Sequence, residues 1–248
     1  MSKTAITRIT HSCHLIEIGG RTFLTDPWFS TRPGYYQGEP IAVGIADLPR
    51  LDGVLITHEH YDHCDLEAFA AYRDQSVPLF VAETVVDVAR KHGFTDVTAL
   101  APWQQVQVGG VTITATPAKH GVYEVTFVLR AGPEAVYFAG DTMLIPELGE
   151  IPQRLGHISL ALLPTNGLHI RPANNMQVVM NAQEAAELTA ILKPELAIPH
   201  HYAFTSGFLG DRLITSSDKN PQRFQDASRD VAPDTSVRVV EPGTRVEL

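Results

Sequence analysis

Residues 54–63 read Val54-Leu55-Ile56-Thr57-His58-Glu59-His60-Tyr61-Asp62-His63, an apolar run that ends in H-x-H-x-D-H. Three imidazoles and a carboxylate share one short turn at the predicted end of a strand. Neutral imidazole and carboxylate oxygen are the donors that Zn²⁺ and its divalent neighbours favour. The other reading of such a stretch is a polar surface loop rich in histidine. Four donors this close together crowd a single tetrahedral ion, which in catalytic sites takes three protein ligands. Two neighbouring ions accommodate them better, with His58 and His60 on one, and Asp62 and His63 on the other. Two ions about 3.5–4 Å apart would share a hydroxide, the nucleophile of a hydrolytic displacement.

Further donors follow other apolar segments. Val111-Thr112-Ile113-Thr114-Ala115-Thr116 alternates as a half-buried strand does and leads to Pro117-Ala118-Lys119-His120. Val136-Tyr137-Phe138-Ala139 runs into Gly140-Asp141-Thr142, and Leu196-Ala197-Ile198 into Pro199-His200-His201-Tyr202. Alone, Asp141 reads as a turn residue and His120 as a loop histidine. The recurrence of a metal-competent side chain just past a strand favours one shared site.

These segments, with Leu24-Thr25-Asp26-Pro27-Trp28, resemble the ordered motifs of the metallo-β-lactamase-fold hydrolase superfamily, from about Ile6 to Tyr202. The "DPW" segment and the final "P-x-HY" look most like the branch of ascorbate-6-phosphate lactonase and N-acyl-phosphatidylethanolamine phospholipase D. The resemblance implies an α/β fold, a four-layer αββα sandwich, formed by residues 1–248 as one domain. It implies two divalent metal ions, zinc first, with manganese or iron as substitutes. His58, His60 and His120 would ligate the first, Asp62, His63 and His201 the second, and Asp141 would bridge them. Asp26 would orient a ligand imidazole from behind. His11, His14, His92, His157 and His169 are expected not to be ligands; His11, in a similar "TH" context, is grouped with Asp26 behind the ligands and is the one of the five that could line the pocket. His200 is the rival of His201, whose place directly before Tyr202 matches the motif.

The implied activity is hydrolysis of a small-molecule ester, lactone or phosphodiester. Asp62 or a metal-bound water would pass a proton to the leaving group, and Tyr202 would either stabilise the oxyanion or buttress His201. The alternative is a redox member of the same fold, an iron-dependent dioxygenase or flavodiiron-like protein, although no flavin domain is appended. A nuclease ranks lower, because the formal net charge is −9 and lysines and arginines form no basic run.

Hydrophobic residues make up 44% of 248, an ordinary globular proportion with enough chain for a large core. No stretch approaches the roughly 20 apolar residues of a membrane span, and Met1–Ile6 holds no apolar signal core. Two cysteines, Cys13 and Cys64, suggest a reducing cytoplasm rather than a disulfide framework. A small molecule is the expected partner, and a homo-oligomer is compatible with the chain.

Between the motifs, residues 5–25 predict two or three strands joined at Gly19-Gly20. Leu66/Phe69/Ala70, Val85/Val88/Ala89 and Ala185/Leu188/Leu192 predict helical faces, the last capped by Asn181 with Glu184 and closed by Pro194. Two loop regions, Phe29 to Ile45 and Ala203 to Pro221, are long and aromatic, and are expected to act either as pocket walls or as plain connections.

Overall fold

The computed structural model describes residues 4–248. The first three residues of the amino-terminal stretch, read above as lacking a signal core, lie outside the described residues. Two seven-stranded sheets dominate. In the first, the strands run in the order Arg245–Glu247, Ala5–Thr10, Cys13–Ile18, Arg21–Thr25, Gly53–Ile56, Leu79–Val81, Val97–Ala99. In the second the order is Ser236–Val237, Leu196–His200, Leu160–Pro164, Glu134–Phe138, Val125–Ala131, Val111–Pro117, Gln105–Val108. Three strands do occupy residues 5–25. The turn between the second and third places Gly19 at φ 58° and Gly20 at φ 74°, the left-handed pair that a tight hairpin requires.

Side-chain alternation separates the layers. Phe127 and Leu129, Val136 and Phe138, and Leu160 and Leu162 enter the core shared with the first sheet. Their neighbours Val128, Tyr137, Ala161 and Leu163 join a separate core with Ile151, Leu188 and Phe224 of the helices outside the second sheet. Successive residues of a strand point to opposite faces, so each buried strand feeds both cores. The result is the expected αββα sandwich.

The helix Ala182–Leu192 starts as predicted. The Asn181 side chain accepts from the Gln183 and Glu184 amides, and Glu184 accepts from the Asn181 amide in return. Such a cap contributes about 1 kcal/mol. The helix ends at Lys193, left-handed at φ 50°, one residue before Pro194. The other two helical faces are shorter: Leu66–Phe69 is a single turn, and Val85 belongs to a 3₁₀ turn ahead of the helix Val86–Lys91. A small third sheet is formed by the two-residue strands Met176–Gln177, His169–Ile170 and Thr215–Ser216, the last of them inside the second long loop region.

Candidate metal centre

The donors stand at strand ends of both sheets. His11 follows Ala5–Thr10, Asp26 follows Arg21–Thr25, and the H-x-H-x-D-H turn follows Gly53–Ile56. His120, Asp141 and His201 follow strands of the second sheet. The sheets are joined at this end, where the Val125 amide donates to Thr57 O at 3.1 Å. Three donor residues hold left-handed backbones, His11 at φ 47°, Asp26 at φ 30° and His201 at φ 64°. Non-glycine residues adopt such angles at a cost of order 1–3 kcal/mol, and they cluster at functional sites.

The donors form two separate groups, joined by a further cluster of Asp26, His58 and His63 that shares one histidine with each. His58, His60 and His120 form the first, and His11, Asp62, His63 and His201 form the second. In the first, His60 Nδ1 is 3.1 Å from His58 Nε2 and 3.0 Å from His120 Nε2. Nitrogens around a tetrahedral Zn²⁺ would stand roughly 3.3 Å apart, given Zn–N bonds near 2.0–2.1 Å. Asp141 stands against the second, with Oδ2 2.8 Å from His201 Nε2 and 3.2 Å from His63 Nε2. The two groups abut, with the His58 and His63 rings 4.3 Å apart.

Polar contacts behind the imidazoles set their tautomers. His120 Nδ1–H donates to Val178 O at 2.6 Å, which leaves Nε2 with its lone pair free. His63 Nδ1–H donates to Asp26 Oδ2 at 2.6 Å with the same effect. Thr57 Oγ1 donates to Asp26 Oδ2 at 2.7 Å and accepts from His58 Nδ1 at 3.0 Å. Asp26 therefore orients His63 directly and His58 through Thr57, one imidazole in each group.

Charge in the site follows burial and these neighbours. Burial holds the His58 imidazole well below its ordinary range and that of His120 at about 4, so both are neutral near pH 7. Burial would also lower His63 and His201, but the neighbouring carboxylates, Asp141 first and Asp62 after it, together outweigh it and both are raised. Burial would raise Asp62, yet His63, His11 and His201 bring it well below the usual carboxylate range. Asp26 is pushed up to about 6 by burial, against the pull of His63 and Thr57.

Three placements differ from the sequence reading or were absent from it. His11 belongs to the second donor group itself. Its Nε2 is 3.4 Å from Asp62 Oδ2 and its ring centroid 4.2 Å from that of His201. Glu39 holds it there: Oε1 accepts the His11 amide at 2.6 Å, while Arg8 Nη2 bonds both Glu39 oxygens at 2.7 and 2.9 Å. Tyr202 does not line the cavity at the donors. Its ring lies 4.7 Å under the Arg8 guanidinium, and burial pushes its phenol up to about 12. The third residue, Glu124, was absent from the sequence reading. It is fully buried, accepts the Asp141 amide at 2.7 Å, and has Oε1 3.3 Å from His58 Nδ1. Burial raises its carboxyl to about 7. A Cβ on Gly140 would stand 2.3 Å from Glu124 Oε1, so the glycine before Asp141 is required by this approach. Glu124 precedes the apolar strand Val125–Ala131, and no motif marks it.

His200 faces the other way. Its Nδ1 is 2.9 Å from Ser12 Oγ and its ring packs on His14 and Phe138, away from both donor groups. Cys64 is a buried free thiol, as expected.

A cavity of about 440 Å³ opens over the donors and is lined by His60, Asp62, His120, Asp141 and His201. Both long loops contribute, through Gly34 and Tyr35 on one side and Phe204, Ser206, Ile214 and Thr215 on the other.

The beta-lactamase superfamily domain matches residues 21–202, which carry every strand-end donor named above except His11. The chain belongs to the beta-lactamase superfamily. A metal-dependent hydrolase from Methanopyrus kandleri is 28% identical over 254 residues, covering 98% of this chain and 99% of the relative. One from Caldivirga maquilingensis is 26% identical over 242 residues, covering 96% and 95%. Among solved structures, a metallo hydrolase from Ignicoccus hospitalis superposes with a TM-score of 0.77 at 25% identity, covering 100% of this chain and 99% of that one. The metal-dependent hydrolase class expected from the sequence agrees with these relatives.

Proposed function

We propose that the protein is a binuclear metal-dependent hydrolase of a small-molecule ester, lactone or phosphodiester. The observation that carries this reading is the set of buried polar atoms left without hydrogen bonds at the site: His11 Nδ1 and Nε2, His63 Nε2, His201 Nδ1 and Nε2, and Asp141 Oδ1. Buried polar groups are otherwise almost always paired. His201 Nε2 and His63 Nε2 both approach Asp141 Oδ2, at 2.8 and 3.2 Å, as groups that face a common point do. The residues fit two ions. His58, His60 and His120 would hold one, and Asp62, His63 and His201 the other, with His11 beside them and Asp141 shared. Zinc suits so many imidazoles best, with manganese or iron as substitutes.

When bound, the ions supply water of lowered pKa and a Lewis acid for the substrate oxygen. The chain does the rest. Asp26 and Thr57 fix the lone pairs of His63 and His58, and Val178 O fixes that of His120. Asp62 lines the cavity, where it can hold a proton for the leaving group. The aromatic loops restrict the access of bulk water. The same reading includes a reducing cytoplasmic setting, supported by the buried thiols Cys13 and Cys64, and a substrate other than nucleic acid, supported by the net charge of −9.

Removal of metal by a chelator is expected to abolish hydrolysis across a panel of esters, lactones and phosphodiesters. Zinc or manganese should restore it while the far-UV circular dichroism stays constant. Hydrolysis that persists in metal-free protein would exclude the reading.

A further inference from the structure

Beside the donors, the wall of the cavity is apolar. Leu168, Ile170, Met176, Val178, Phe204 and Ile214 line it. Four of its residues, Leu168, Val178, Phe204 and the partly buried Ile170, pack with Trp28, Val179, Tyr35 and Tyr61 in an apolar cluster distinct from the two main cores. No lysine or arginine lines the cavity among the described residues. Two nearby arginines stand behind the lining and not on it: Arg32 lies 3.9 Å over the Tyr61 ring and 4.7 Å over the Tyr35 ring, and Arg171 Nε donates to Thr215 O at 3.1 Å. Apart from the donors, the polar side chains on the lining are only the hydroxyls of Tyr35, Ser206 and Thr215.

A pocket for a sugar phosphate or a phosphodiester needs cationic or amide donors beyond the metals, because each phosphate oxygen taken from water requires a partner. This wall supplies apolar surface instead, which favours a substrate body with nothing to solvate. We propose that the site takes a neutral carboxylic ester or lactone with an apolar acyl chain. The carbonyl sits at the donors and the chain lies along Leu168, Val178 and Phe204 toward the rim at Met176 and Ile214. Water adds across the acyl C–O bond: its hydroxyl joins the acyl carbon, and its proton goes to the departing alkoxide oxygen. This assignment rests on the hydrolase reading for its chemistry, but not for its geometry.

Two series of ligands on the zinc-loaded full chain test it. The first is hydrolysis of p-nitrophenyl esters from acetate to decanoate, beside bis(p-nitrophenyl) phosphate. The second is calorimetric binding of the uncharged, slowly hydrolysed primary amides from acetamide to decanamide. Both kcat/KM and amide affinity should rise about two- to fourfold per added methylene, up to the worth of one buried methylene, and then level off. Ile214 and Met176 are 52% and 51% exposed, so charged replacements there should fold. Ile214→Lys should weaken decanamide binding about tenfold, since a solvated ammonium would replace apolar rim. Amide affinity independent of chain length, or a gain for the phosphodiester in Ile214→Lys that carries it past decanoate, would overturn the assignment. Chain-length-dependent amide binding with no ester hydrolysis would leave the apolar cavity standing and remove the hydrolase reading instead.

Discussion

Asp141→Asn is expected to lower hydrolysis by at least about a hundredfold while the protein still folds. Loss of even an outer partner of a metal ligand typically costs 10–100-fold in affinity or activity, and this carboxylate contacts the donors directly. Asp141 Oδ2 stands 2.8 Å from His201 Nε2 and 3.2 Å from His63 Nε2. An amide keeps the shape and removes the negative charge that would offset two cations. The backbone contact that fixes the turn, Asp141 N–H to Glu124 at 2.7 Å, survives the change. Thermal unfolding of the metal-free variant should therefore lie close to that of the parent. Wild-type turnover at matched metal loading would remove Asp141 from the site.

His201→Ala should empty or weaken the second metal position, whereas His200→Ala should leave both positions filled. The two side chains diverge because the strand Leu196–His200 ends between them, and His201 turns left-handed at φ 64°. His201 lies among His11, Asp62 and His63, while His200 Nδ1 meets Ser12 Oγ at 2.9 Å in the buried interior. Loss of that partner costs His200→Ala about 1–3 kcal/mol of stability, because a buried hydroxyl is left unsatisfied. Metal titration of the two variants separates the outcomes. Metal loss in His200→Ala with retention in His201→Ala would place the ligand one residue earlier.

The sandwich and most of the donors were readable because strand periodicity and the donor motifs are local. Each donor follows an apolar segment in the chain, so its position at a strand end needs no tertiary knowledge. The choice of His201 over His200 rested on its place before Tyr202 and on strand alternation, and the structure reaches the same register through a turn. Glu124, Glu39 and Arg8 were not legible. Glu124 matters because Gly140 lets the chain close on it, and Glu39 because a loop 28 residues away in the chain returns to the His11 amide. Both contacts are tertiary. His11 is expected from the sequence to stand outside the ligand set, but it joins the second donor group through a left-handed backbone at φ 47°, which the sequence does not locate. The third sheet escaped because strands of two residues carry no periodicity. The carboxy-terminal edge strand Arg245–Glu247 pairs with Ala5–Thr10 across almost the whole chain, another contact without a local signal.

The most direct test of the account is the number and place of the ions in fully loaded protein, measured by elemental analysis and anomalous diffraction from one preparation. The account predicts close to two divalent ions per chain. One would be bound by His58, His60 and His120, the other by Asp62, His63 and His201, with Asp141 touching both. One ion per chain at saturation, or His58, His60 and His120 directed to different places, would contradict it.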